Sequence, residues 1–128
     1  MRVAEVMLRD VALLALDDSV QDAAQAMADT DADIVLVGED ERVDGVFTLR
    51  DVLIRIVLKG LDPTVTPLRE VMSTDLFTCR DDEDAGVVSR RMAAHRVHHM
   101  PVVDAAGRLV GLVADRSADL RATVEAER

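Results

Sequence analysis

The chain has no tryptophan, no tyrosine, two phenylalanines and a single cysteine in 128 residues. Each shortage excludes something. Cys79 has no partner for an internal disulfide, so nothing ties the chain to an oxidising compartment. With aromatics at 2%, Ala, Val, Leu, Ile and Met must fill the core. No apolar run approaches the roughly 20 residues that span a bilayer. Met1-Arg2-Val3-Ala4-Glu5 is not followed by the apolar segment of a secretory signal. A soluble, cytoplasmic protein is expected. Positive charge is also scarce: the net charge is −10, and only Lys59 among the 15 basic residues is a lysine. That balance argues against nucleic acid and against an anionic membrane as partners, because both need a basic surface. It is the kind of surface that keeps a soluble protein dispersed. No nucleophile–base pair stands at a recognisable spacing, and there is no Gly-rich phosphate loop or metal-ligand framework. An enzyme is not expected.

What is present is a 49% hydrophobic chain with clear periodicity. Val3-Ala4-Glu5-Val6-Met7 reads as a short helical turn. Val20, Ala23, Ala24 and Met27 recur at helical spacing behind Ser19, a good N-cap with Asp22 placed to complete a capping box, and this helix runs to about Asp29. Ile34-Val35-Leu36-Val37 is a short apolar run and reads as a buried strand. Gly38-Glu39-Asp40-Glu41-Arg42 makes a turn, and Val43 to Phe47 returns as the partner strand. From Leu49 to Leu58 the apolar stripe Val52, Leu53, Ile56, Val57 predicts a helix, with Lys59 and Gly60 suited to its end. Asp62-Pro63 and Pro67 make 60–67 a linker between a first unit, 1–59, and a second, 68–128.

The second unit repeats the first. Leu68-Arg69-Glu70-Val71-Met72 lies 65 positions after Val3-Ala4-Glu5-Val6-Met7, with Glu-Val-Met identical. Asp10 meets Asp75, Asp17 meets Asp82, and Met27-Ala28 meets Met92-Ala93. Past a one-residue insertion, Pro101-Val102-Val103 is matched to Val35-Leu36-Val37, Gly45 to Gly111 and Arg50 to Arg116. A register held over so many elements is an internal duplication. One copy is too small to bury its faces well. Two copies packed together leave a cleft, where binding sites often form.

The chemistry concentrates in Gly45-Val46-Phe47-Thr48-Leu49-Arg50-Asp51, where a strand ends and a helix opens. The unpaired N–H groups and dipole of a helix N-terminus favour an anion. A carboxylate fixed on the first helical turn can accept bonds from a diol. Thr-x-x-Asp is equally a serviceable capping box. In the second copy Ala114 and Ser117 replace the hydroxyl and the carboxylate, and Asp115 can cap its helix. His95, His98 and His99 crowd together, with Cys79 as a further donor type. Adjacent strand residues face opposite sides, which disfavours a shared metal and leaves a cleft-lining or exposed role.

These features together resemble a tandem pair of cystathionine-β-synthase (CBS) domains, a Bateman module. They are the Glu-Val-Met segments, His98-His99-Met100-Pro101-Val102-Val103-Asp104, Gly111-Leu112-Val113 and the turn at 45–51. The match covers nearly the whole chain and is similar to the small stand-alone CBS-pair proteins of bacteria. The resemblance implies an α/β (α+β) fold of two β-α-β-β-α repeats packed with pseudo-twofold symmetry. It implies a regulatory role and an adenosine-containing ligand (AMP, ADP, ATP or S-adenosylmethionine) in the cleft. It further implies association into a homodimer and a regulated partner protein. Carried over residue by residue, Asp51 takes the ribose hydroxyls, Thr48 contacts phosphate and Val46 lies under the base. Ser73, Thr78, Val97 and His98 are further contacts. Ala32 and Asp33 stand where phosphate-binding relatives often have His or Arg, and Arg50 or Arg55 is left to offset Asp33. That combination favours AMP or S-adenosylmethionine over ATP, with at most one ligand per chain. The alternative is a ligand-free dimerisation module with a decayed site.

Overall fold

Residues 1–114 are described by a computed structural model. Ser19 starts the first long helix as its spacing predicts. Its hydroxyl accepts the Asp22 N–H (3.1 Å) and the Asp22 carboxylate accepts the Ser19 N–H (2.9 Å). Such a box stabilises a helix start by about 1 kcal/mol. Helix α1 (Val20–Thr30) buries Val20, Ala23 and Met27. It is the crossover between two parallel strands, β1 (Leu13–Leu14) and β2 (Ile34–Glu39), and β2 then pairs antiparallel with β3 (Arg42–Thr48). The sheet order is β1-β2-β3. Behind β3 come helix α2 (Leu49–Asp51), a π-helical segment (Val52–Val57) and helix α3 (Leu68–Val71). The second copy repeats the plan with β4 (Cys79–Arg80), α4 (Ala85–His95), β5 (His99–Val103) and β6 (Leu109–Ala114), in the order β4-β5-β6. The result is a mixed α+β fold of two three-stranded sheets.

Strand pairing corrects the repeat register. Val37 lies opposite Gly45 and Val102 opposite Gly111, and both ladders slip at the same place, after Val37 and after Val102. Val35-Leu36-Val37 therefore corresponds to Met100-Pro101-Val102, not to Pro101-Val102-Val103. The inserted residue is in the hairpin loop. The β2–β3 turn is only Asp40-Glu41, both at positive φ (53° and 63°), a two-residue loop whose twist suits the strands. In the second copy Asp104 donates its N–H to the Arg108 carbonyl (2.9 Å) around a three-residue loop with Gly107 at φ 83°. Ser117, Asp115, Arg116 and the helix expected after β6 fall outside the described residues.

The helix predicted over 49–58 is also different in kind. After Asp51 the backbone widens, and the Leu58 N–H reaches the Leu53 carbonyl five residues back. The stripe therefore splits. Ile56 is buried and Val52 packs on the core, whereas Leu53 and Val57 turn outward with Leu49, Ile54 and Leu58. The segment 60–67 has no regular element but is pinned in place. The Val20 N–H donates to the Thr66 carbonyl and the Gln21 N–H to the Pro63 carbonyl, both at 3.0 Å.

Two compact units result, and they cut across the sequence repeats: one is Val11–Leu76, the other Met1–Asp10 with the described residues from Phe77 onward. Each repeat's lead-in segment is the reason. In the first unit Leu68 and Val71 of α3 join a core of Val20, Ala23, Met27, Val35, Val37, Phe47 and Ile56. The next residues join the sheet edge, Val46 and Ser73 exchanging two backbone hydrogen bonds of 2.9 Å each. In the second unit Val3 and Met7 pack with Cys79, Val88, Met92, Met100 and Val102. There Leu8 and Leu112 exchange bonds of 2.8 and 2.9 Å.

Both edges need glycine for close approach. A Cβ on Gly45 would stand 2.5 Å from the Met72 Sδ and 3.0 Å from the Ser73 carbonyl oxygen. On Gly111 it would stand 2.6 Å from the Met7 Sδ and 2.8 Å from the Leu8 oxygen. Gly45→Ala and Gly111→Ala should each lower unfolding free energy by about 1–3 kcal/mol in urea titrations, the usual penalty for overpacking. Wild-type midpoints in both variants would contradict the lead-in packing.

Candidate functional site

The site is built where β3 hands over to α2. Thr48, the last residue of β3, keeps an extended backbone (φ −116°, ψ 166°) and caps the helix. Its N–H donates to Asp51 Oδ2 at 2.9 Å and its hydroxyl donates to the same oxygen at 3.1 Å. The Asp51 N–H donates back to Thr48 Oγ1 at 3.2 Å. The Thr-x-x-Asp spacing thus forms a complete capping box, one of the two readings its sequence allowed. The Thr48 hydroxyl is engaged with Asp51 as both donor and acceptor. Asp51 Oδ1 lies 3.5 Å from Arg55 Nε, and the Asp51 side chain is 18% exposed.

The helix N-terminus is already partly occupied. The Leu49 N–H donates to the Asp33 carbonyl at 2.9 Å, and the Asp51 N–H is taken by Thr48. Two of the first-turn donors that a phosphate would use are engaged. Arg50 is exposed on this turn. Val46, two residues upstream of Thr48, is half-buried and bonded to Ser73 through the backbone exchange described above. One compact unit therefore holds Val46, Thr48, Arg50, Asp51 and Ser73. Thr78, Val97 and His98 belong to the other. There Thr78 and His98 are exposed, and Val97 packs against the core while its N–H donates to the Met92 carbonyl (3.0 Å).

Sequence reasoning gave Arg55 only the task of offsetting Asp33. The structure instead turns its guanidinium inward: Nη1 donates to the Val71 carbonyl at 2.9 Å and the Met72 carbonyl at 3.4 Å, while Nε faces Asp51. The signal was available, since Asp51 and Arg55 stand at i and i+4 on one helical face.

Among the described residues no three of His, Cys, Asp and Glu are grouped to hold a metal ion. His95 stacks on Phe77, ring centroids 4.5 Å apart. Cys79 is buried, and that burial, with Glu83 nearby, pushes its thiol up to about 11. It stays protonated near neutral pH and is poorly suited to attack or to ligation. No helix among the described residues is long and apolar enough to cross a membrane.

The CBS domain family profile matches residues 3–58 and 68–118. The CBS domain-containing protein YhcV of Bacillus subtilis is 33% identical over 112 residues, covering 88% of this chain and 79% of that protein. The chain spans 57% of an uncharacterised Methanopyrus kandleri protein and 22% of a Methanosalsum zhilinae homoserine O-acetyltransferase, so in the latter it corresponds to a small part. Among solved structures, Hypoxic Response Protein I, which has two coordinated zinc ions, superimposes with a TM-score of 0.81 at 26% identity. That match covers 94% of this chain and 97% of the other. A CBS domain protein of Pyrobaculum aerophilum, complexed with AMP, gives 0.81 at 22% identity, covering 97% and 99%. At that identity the likeness is one of fold.

The capping geometry has a direct consequence. Thr48→Val keeps the shape but loses the hydroxyl, and should cost about 0.5–2 kcal/mol in urea unfolding, whereas Thr48→Ser should stay close to wild type. Equal stability of all three proteins would contradict the bonded box.

Proposed function

We propose that this chain, which belongs to the CBS-domain family, is a non-catalytic regulatory module. It binds one adenosine-containing ligand at the β3–α2 turn, with AMP or S-adenosylmethionine preferred over ATP. The observation that carries the reading is the Asp51 carboxylate, held on the first helical turn by Thr48. Its Oδ2 is consumed by the cap, while Oδ1 retains lone pairs beside Arg55. A fixed carboxylate of this kind suits the two hydroxyls of a ribose. Val46 and Ser73 sit on the adjoining strand edge and would contact the base and sugar. Arg50, exposed on the same turn, is a further contact.

The preference against ATP follows from spent donors. The Leu49 and Asp51 N–H groups are engaged, which leaves this helix start fewer donors for phosphate oxygens. A ligand with little or no phosphate loses least by that. A ligand-free module is the second reading. It is favoured by the self-sufficiency of the capping box and by the outward row of Leu49, Leu53, Ile54, Val57 and Leu58. In both readings the protein is cytoplasmic and binds neither nucleic acid nor membrane; in the first it also informs a partner protein. We assign these exposed apolar side chains, of the kind that marks association, to a homodimer interface.

Calorimetric titration with AMP, S-adenosylmethionine and ATP tests the ligand reading. AMP or S-adenosylmethionine should saturate with no more than one site per chain, and ATP should bind at least about tenfold more weakly, a difference near 1.4 kcal/mol. Asp51→Ala should abolish the heat while the protein stays folded. No binding of any of the three would leave the ligand-free reading standing. For the homodimer, Leu53→Glu with Leu58→Glu should give a monomer by light scattering, and an unchanged dimer would place the interface elsewhere.

A further inference from the structure

Arg55 touches two different segments of its unit. Its Nε faces the Asp51 carboxylate on the helix, and its Nη1 donates to the Val71 and Met72 carbonyls where α3 ends. The residue after Met72 is Ser73, which is bonded to Val46 in both directions. A planar guanidinium can serve a carboxylate and a carbonyl at once, which a lysine ammonium on a single stem does less well. Its charge also suits the end of α3, where backbone carbonyls lack helical partners. Half-buried and bonded on both sides, this group is oriented toward the α3 end.

We propose that Arg55 is the positioning residue of the site. It ties the Asp51 carboxylate to the Met72–Ser73 backbone, so that the group that accepts ribose hydroxyls and the strand edge carrying Val46 and Ser73 keep a fixed separation. The proposal rests on the reading of an adenosine ligand at Asp51. It assigns Arg55 no contact with ligand phosphate. The π-helical winding belongs to the same device, because Arg55 lies within Val52–Val57 and that winding sets the direction its side chain takes toward α3.

The test uses the full chain as wild type, Arg55→Met, Arg55→Lys and Asp51→Ala. Each is titrated with adenosine and with AMP, and amide exchange is followed at Val46, Asp51 and Ser73 without ligand. Positioning predicts that Arg55→Met weakens adenosine and AMP by the same factor, about tenfold, the scale of one charge-assisted hydrogen bond. It predicts faster exchange at Ser73 and Val46, with Arg55→Lys intermediate in both. Loss of AMP affinity with adenosine unchanged would make Arg55 a phosphate contact and overturn the proposal. A lower melting temperature with both affinities and exchange unchanged would reduce it to a stabilising surface group, which also overturns it. If the wild type binds neither compound, the ligand reading has failed. The exchange data then decide alone: faster exchange at Ser73 in Arg55→Met supports the tie between the two segments, and unchanged exchange refutes it.

Discussion

The backbone exchange between Val46 and Ser73, and its counterpart between Leu8 and Leu112, is the constraint on which the rest of the molecule depends. Each pair of hydrogen bonds attaches a lead-in segment to the edge of a sheet it does not precede in its own repeat. The attachment delivers Leu68 and Val71 to one core, and Val3 and Met7 to the other. It excludes any side chain at Gly45 and Gly111. It also sets Ser73 beside Val46, two residues before the turn that carries Asp51. Core, strand edge and candidate site are consequences of one set of contacts.

The turn itself does two jobs with the same atoms. Thr48 and Asp51 satisfy the start of a helix and thereby hold a carboxylate still. Capping of this sort contributes about 1 kcal/mol to stability. A preorganised carboxylate also costs a ligand less on binding, because its rotamer is already fixed. In the proposed site the cap takes Oδ2 and leaves Oδ1 for the ligand. Donors used for the cap are lost to phosphate, which is why the proposal favours a ribose over a polyphosphate.

Much of this was legible in the sequence, for local reasons. Ser19 and Asp22, and Thr48 and Asp51, declare their capping boxes by spacing alone, and β2 stands out as an apolar run with Val43 to Phe47 returning beside it. Three things were not legible. The two lead-in segments share Glu-Val-Met, so no local signal says which sheet each will join; only tertiary packing decides. The strand match is one residue out because short apolar runs align almost equally well in either register, and the pairing of Val37 with Gly45 and Val102 with Gly111 moves the insertion from before the strand into the hairpin loop. The widening after Asp51 had no marker, since Val52 to Val57 contains no Gly or Pro. The widened helix in turn exposes Leu53 and Val57, which a regular period places inside. Arg55 was overlooked as a tie for a related reason: its i,i+4 partner is visible in sequence, but the carbonyls of Val71 and Met72 are not.

The central claim, an adenosine ligand held at Asp51, is tested most directly by following backbone amide resonances during titration with AMP. The predicted result is saturable shifts at Val46, Thr48 through Val52, and Ser73, lost in Asp51→Asn. Saturable shifts that leave these amides unmoved, or persist unchanged in Asp51→Asn, would contradict it.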